Sequence, residues 1–152
     1  MTVAFLVEFS VPGVPAPAGS KRAVTAGGKT GGRVLLVDAS RRSKPWKLDV
    51  AAAALQAMGD QPPLEGPLAL AVEFAFTRPK AHQGARGLTA VGRRSPYPAT
   101  RPDATKLLRA VEDALTGIVW RDDAQVVWQF ALKRWRERPG CAVKVGRPPD
   151  AN

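Results

Sequence analysis

The sequence predicts an α/β (α+β) protein in which two main helices pack on a small mixed β-sheet. Alternating apolar stretches indicate strands, two segments with helical spacing indicate helices, and the elements follow the order β, β, α, β, α, β, β. The chain has 152 residues, 45% of them hydrophobic, which suits one domain with its own core. We expect the domain to span residues 1–146 and residues 147–152 to form a frayed tail.

The first two predicted strands flank a segment rich in proline and glycine. Val3–Val11 alternates apolar residues with polar or small ones, and Arg33–Asp38 is a short apolar run. Between them, the prolines and glycines of Pro12–Arg22 predict a stiff loop ending in two cations. Gly27–Gly32 is rich in glycine and is expected to be a loop.

The first helix is predicted over Lys44–Met58. Ser43 is a suitable N-cap, and Gly59 is expected to end the helix. Spacing typical of an amphipathic helix places three residues on one face: Leu48, Ala52 and Leu55.

The following strands surround a long basic segment. Leu68–Thr77 alternates and predicts a central strand, with its bulky residues on one side. Arg78–Arg101 is the longest irregular segment, and a loop of this length is usually functional or disordered. Ala124–Trp135 and Cys141–Val145 predict two final strands, which a short turn joins as a possible hairpin.

Residues 101–127 carry the most informative pattern in the chain. A Pro102–Asp103 pair opens a helix, Thr116–Gly117 ends it, and the acidic pair Asp122–Asp123 follows a short apolar step. Carboxylates therefore stand at both ends of one compact unit. The predicted buried stripe of the helix consists of Leu107, Leu108, Val111, Ala114 and Leu115.

The charge of the chain favours a polyanionic partner. Lys and Arg total 23 against 13 acids, a net charge of +10, which is typical of proteins that bind nucleic acid. A basic structural protein that binds RNA has the same balance. A lone cysteine, Cys141, suits a reducing compartment, and the absence of a long apolar run or a basic leader predicts a cytoplasmic protein without a membrane span.

Each aspartate of residues 101–127 has an ordinary structural explanation. Asp103 suits the N-cap of the helix, where a carboxylate accepts a hydrogen bond from a backbone N–H. Arg109 and Asp113 lie one turn apart and suit an i, i+4 ion pair. Asp122 and Asp123 suit a plain turn before a strand.

A chemical explanation takes these acids together. Mg²⁺ or Mn²⁺ takes hard oxygen ligands and often needs only a couple of carboxylates. Asp103 and Asp123 can converge on one such cation, with Arg109 steadying the phosphate. Asp122, Asp113 and Thr105 are weaker candidates for ligands or supporting contacts.

The same residues carry a resemblance to a known family. The positions that match its pattern are Asp103, Leu107, Asp113–Leu115, Trp120, Asp122–Asp123 and Gln125–Val126. In these the chain resembles the RusA family of Holliday-junction resolvases, small dimeric endonucleases of bacteria and phages. The resemblance implies Mg²⁺ or Mn²⁺ as cofactor, equivalents of Asp103 and Asp123 as its ligands, and a homodimer that cuts four-way DNA junctions.

Three positions depart from the family pattern. Thr105 stands where the family has an acid, Lys106 where it has Asn, and Arg109 where it has Lys. Thr105 removes one formal negative charge from the site, which should weaken cation affinity unless Glu112, Asp113 or Asp122 takes its place. Arg109 keeps its charge but does not readily release a proton.

The leading interpretation is thus a metal-dependent endonuclease that resolves branched DNA. The alternative is a non-catalytic binder of branched DNA with a degenerate metal site. Cations at the surface would contact phosphates and position the duplex arms. The candidates are Lys21, Arg22, Arg41, Arg42, Lys44, Lys47, Arg93, Arg94, Arg101 and Lys106.

Overall fold

A computed structural model describes residues 3–19, 21–26, 33–38 and 41–150, with the backbone alone over 21–26 and 33–38. The predicted Gly27–Gly32 loop lies outside the described residues. The strands are β1 (Ala4–Pro12), β2 (Lys21–Ala26), β3 (Arg33–Asp38), β4 (Leu68–Phe76), β5 (Gln83–Gly84), β6 (Gly87–Leu88), β7 (Val126–Trp135) and β8 (Gly140–Arg147). The helices are α1 (Ser43–Met58), α2 (Ala90–Arg94) and α3 (Ala104–Leu115).

The main sheet has four strands in the order β1-β8-β4-β7. β7 pairs with β4 in parallel, and the other pairs are antiparallel, which confirms the predicted mixed sheet. The predicted hairpin of the last two strands is wrong, because β8 lies between β1 and β4. β8 therefore has a partner strand on each side. This position accounts for the burial of its inward residues, Cys141, Val143 and Val145.

Two smaller strand pairs lie outside the main sheet. β3 confirms a predicted strand, and it pairs with β2 in antiparallel register from Lys21↔Asp38 to Ala26↔Arg33. β2 was missed, because the Pro-rich composition before it predicted only a loop. β8 also reaches Arg147, one residue into the predicted tail.

The first helix is confirmed, but its cap and its buried face are not. Ser43 is a buried residue of the first turn, and Arg42 occupies the N-cap without a side-chain hydrogen bond. Leu48 and Leu55 are 62% and 58% exposed. The stripe that α1 buries is instead the i, i+4 row containing its tryptophan: Trp46, Val50, Ala54 and Met58.

The core lies between the main sheet and the two long helices. Every other residue of β4, from Leu68 to Phe74, points into it and is at most 1% exposed, as predicted for a central strand. All five residues of the predicted α3 stripe are buried. Trp120 is fully buried and donates from Nε1 to Thr116 Oγ1 at 3.1 Å, so the tryptophan ties the end of α3 to the core.

The segment predicted as irregular over residues 78–101 is partly regular. It contains a 3-10 turn at Lys80–His82, the small β5–β6 pair and α2. Arg78 orders it by donating from Nη1 to Gly92 O and Ser95 O, each at 3.1 Å. Its guanidinium also lies 5.4 Å from the centroid of the Trp135 ring. No helix among residues 41–150 is long and apolar enough to cross a bilayer.

Replacing Gly140 by Ala is expected to destabilise the sheet by about 1–3 kcal/mol, since an added methyl overpacks a fixed backbone. A Cβ at Gly140 would lie 2.6 Å from Val11 O, and β8 has a strand on each side. Gly84→Ala is the control, because its Cβ would meet nothing closer than 3.5 Å. Equal urea midpoints for the two variants would contradict this packing.

Candidate active site

Asp103 stands at the N-cap position of α3 but does not cap it. Its backbone is extended, at φ −69° and ψ 139°, and its side chain makes no capping hydrogen bond. The carboxylate is exposed, so the simple capping explanation of this residue is wrong. The N-terminal end of the helix therefore presents an acid that is not used within the helix.

Lys133 holds the turn that leads to this acid. Its Nζ donates to Thr100 O at 2.6 Å and to Pro102 O at 2.8 Å. Partial burial lowers the pKa of Lys133, and the nearby Asp103 carboxylate opposes that shift. The lysine ammonium and the Asp103 carboxylate are therefore close enough to interact.

The second acidic position is a corner before β7. Asp123–Gln125 forms a 3-10 turn, and Asp122 caps it by accepting from Ala124 N at 2.9 Å. The Gln125 side chain accepts from Asp122 N at 3.2 Å and donates to Leu64 O at 2.9 Å. Asp122 and Gln125 thus fix the corner, and the exposed Asp123 side chain makes no hydrogen bond to another described residue.

Asp123 lies near Glu112, one of the acids that the sequence offered as a substitute for the charge missing at Thr105. Burial raises the pKa of Glu112; a hydrogen bond from Gln129 opposes this shift, and the carboxylates of Asp123 and Asp113 add to it. Glu112 therefore shares its surroundings with Asp123.

Three residues of α3 share one face of the helix. At 3.6 residues per turn, Thr105, Arg109 and Glu112 lie close to one line along the helix. Asp103 and Glu112 are separated by about 13 Å along the axis, and helical side chains tilt toward the N-terminus. Thr105 and Arg109 therefore lie on the same helix face as Glu112.

Asp113 points elsewhere. Its Oδ2 pairs with Lys47 Nζ at 2.9 Å, which links α3 to α1. The i, i+4 pair with Arg109 is thus not the ion pair that forms, and Arg109 is exposed with no hydrogen bond to another described residue. The guanidinium of Arg109 acts electrostatically on Glu112.

Beside Asp103 there is an open cleft of about 600 Å³. Arg42, Arg101 and Lys106 bring positive charge to its wall. The loop after β1 adds an apolar part of the wall, and Ala18 N of this loop donates to Lys106 O at 2.9 Å. The remaining lining residues are Val14, Pro15, Ala16, Pro17, Phe76 and Pro102.

The other predicted phosphate contacts are spread more widely. Arg41 and Lys44 are exposed at the start of α1. On α2, Arg93 donates to Leu88 O at 2.7 Å and Arg94 to Ala90 O at 3.3 Å, so both also stabilise their own segment. The side chains of Lys21 and Arg22 lie outside the described ones.

The donor atoms fit a small hard cation. Among the described residues no three His, Cys, Asp or Glu side chains come together in a metal-binding group. Mg²⁺, however, is often held by one or two carboxylates with waters and phosphate completing its shell. Asp103 and Asp123 are exposed carboxylates, and Thr105, two residues after Asp103, adds an exposed neutral oxygen.

Comparison with known proteins gives a family and a relative. The sequence model of the family described as endodeoxyribonuclease RusA matches residues 12–146. A Bacillus subtilis (strain 168) protein described as "Uncharacterized protein YqaN" is 28% identical over 140 residues, which cover 91% of this chain and 94% of that protein. The match includes the uncapped acid of α3, the acidic corner and the cationic cleft.

Proposed function

Since the chain belongs to the RusA endodeoxyribonuclease family, we propose that it is a divalent-metal-dependent nuclease that resolves four-way DNA junctions. The observation that carries the proposal is the exposed Asp103 carboxylate, which does not cap its helix and lies on the wall of a cationic cleft. A structural acid at a helix start would normally accept a backbone hydrogen bond.

In this proposal Asp103 and Asp123 are the ligands of one Mg²⁺ or Mn²⁺. When bound, the cation supplies charge stabilisation to the phosphate and activates water. Asp122 and Gln125 keep the corner rigid, so that Asp123 does not have to be ordered when the cation binds. Thr105 contributes at most a neutral oxygen.

Arg109 is the proposed phosphate stabiliser. It is exposed on the α3 face that also carries Thr105 and Glu112, and a guanidinium binds two phosphate oxygens in a planar fork. A guanidinium does not readily release a proton. Its role is therefore to stabilise negative charge on the phosphate and not to donate a proton.

The cleft is the proposed path of the strand that is cut. Its cations, Arg42, Arg101 and Lys106, suit the phosphates, and its apolar wall suits the sugar and base. Arg41 and Lys44 extend the positive surface along the start of α1 and suit a neighbouring duplex arm. Recognition of the junction by shape needs no contact with base edges.

A homodimer completes the proposal. A four-way junction has two equivalent strands to cut, and two symmetric subunits place one active site on each. The substrate is DNA, so we propose that the protein acts in the cytoplasm of a bacterial cell. Analytical ultracentrifugation measures the number of chains. A free protein that is a stable monomer, together with a junction complex that contains one protein chain, would contradict the dimer.

A labelled four-way junction tests the function. With Mg²⁺ or Mn²⁺, we expect paired nicks at symmetric positions, and with EDTA a bound but intact junction. A linear duplex of the same sequence is the control, and we expect it to remain uncut. Intact junctions at all metal concentrations would contradict the nuclease.

Thr105 favours a second candidate, a non-catalytic protein that binds branched DNA. The neutral threonine in place of an acid lowers the charge that holds a cation. This candidate predicts a stable shifted complex without nicks in the same assay. Competition with RNA tests the remaining class, because an RNA-binding structural protein would prefer RNA over the junction.

Replacing Lys106 by Met is expected to weaken junction binding equally for all sequences. One fewer phosphate contact should reduce the slope of log K against log salt by about 0.9. Lys144→Met is the matched control, since Lys144 is exposed on the sheet face away from the helices and pairs with Glu8 at 3.5 Å. Fluorescence anisotropy over a salt series measures both slopes, and equal slopes would remove Lys106 from the interface.

A further inference from the structure

We propose that Lys133 is a positioning residue that holds Asp103 at the cation site through backbone carbonyls of the preceding turn. This inference rests on the proposed function, because it takes Asp103 as a ligand of the cation. Lys133 itself touches neither the cation nor the DNA in this proposal.

The location of Lys133 is unusual for a lysine. In the register of β7 with β4 it stands opposite Phe74, on the sheet face that the helices cover. Its neighbours on the same face of β7 are Ala131 and Trp135. A lysine at an inward position must find partners for its ammonium.

Those partners are both in one turn. Nζ donates to Thr100 O at 2.6 Å and to Pro102 O at 2.8 Å, and Asp103 follows directly. Two charge-assisted hydrogen bonds to carbonyls two residues apart fix the direction in which the chain enters α3. The direction of the Asp103 side chain follows from that entry.

The same strand anchors the segment at a second point. Trp135 Nε1 donates to Ser95 O at 2.9 Å, and Arg78 Nη1 donates to the same oxygen at 3.1 Å. Residues 95–102 are therefore held at both ends by the inward face of β7. This arrangement is a rigid support for a ligand that does not cap its own helix.

Positioning and plain electrostatics predict opposite effects on cation binding. A positive charge near Asp103 repels a divalent cation, so removing the charge alone would strengthen binding. Removing the two hydrogen bonds frees the turn and weakens binding, because a ligand must then be ordered when the cation binds. The sign of the change distinguishes the two roles.

The test compares Lys133→Met with Lys144→Met, which removes the same charge from an exposed position. Titration with Mn²⁺ without DNA, followed by electron paramagnetic resonance, should show affinity about tenfold lower in Lys133→Met and unchanged in Lys144→Met. In EDTA, amide hydrogen exchange over residues 100–104 should be faster in Lys133→Met alone. Lys133→Arg, which keeps charge and donors, should recover part of both.

Unchanged exchange over residues 100–104, or equal or tighter Mn²⁺ binding in Lys133→Met, would overturn the inference. If Lys133→Met does not fold, Lys133→Gln, which keeps a donor, is judged by the same two measurements. Wild-type protein that binds no Mn²⁺ would overturn the proposed function and the cation part of the inference together. Wild-type binding with no loss in the variant would overturn the inference alone.

Discussion

Junction cleavage by Asp123→Asn is expected to fall by about 10³-fold, the scale on which preorganised electrostatic groups act in a reaction. The substitution keeps the size of the side chain and removes the charge that attracts the cation. Asp122 and Gln125 hold the corner without help from the Asp123 side chain, so we expect the fold to be unchanged. Junction affinity in EDTA should stay within about threefold, because a neutralised acid does not repel phosphate.

Asp60→Asn is the control for this variant. Asp60 is exposed in the turn after α1, and the substitution makes the same change of charge away from the proposed site. Single-turnover cleavage of a labelled junction measures both variants. Loss of junction binding together with cleavage, or full activity in Asp123→Asn, would contradict the role of Asp123 as a ligand.

Thr105→Asp is expected to raise Mn²⁺ affinity by about tenfold or more, since an added carboxylate attracts the cation and, at an exposed position, solvent screens part of that attraction. Thr105 is exposed in the first turn of α3, where an acid also suits the positive helix end. The variant restores the acid that the family pattern has at this position, and cleavage at low Mn²⁺ should rise with affinity.

Gln56→Glu controls for the added charge, because Gln56 is exposed on α1. Isothermal titration with Mn²⁺ measures both variants, and thermal unfolding in EDTA tests their stability. An equal rise in affinity for the two would show that net charge alone acts. No rise in Thr105→Asp would place the cation away from the N-terminal turn of α3.

The elements that sequence predicts well here are those with a strong period. β4 alternates over its full length, and α3 carries apolar residues at helical spacing, so tertiary contacts only reinforce the local pattern. α1 is rich in alanine, so more than one of its faces is apolar. The face that is buried contains Trp46, and the face with Leu48 and Leu55 is exposed. The position of β8 depended on pairing between distant strands, which no local pattern contains.

Within the candidate site, the acidic residues could be predicted from the sequence, but the partners of their side chains are known only from the structure. Asp103 and Asp123 stood out because they match the family pattern. From the sequence alone, however, Asp103 could equally have been an N-cap and Asp123 part of a plain turn. The structure assigns capping to Asp122 and an ion pair to Asp113, roles that depend on Ala124 and Lys47. Lys133 was missed because its partners are carbonyls, which a sequence does not display.

The number of Mn²⁺ ions bound by each chain is the most direct test of a cation shared by Asp103 and Asp123. Titrations followed by electron paramagnetic resonance should find one ion per wild-type chain, and either Asp103→Asn or Asp123→Asn should abolish that binding. If the two variants each retained the ion at wild-type affinity, or if each lost a different ion, the shared site would be contradicted.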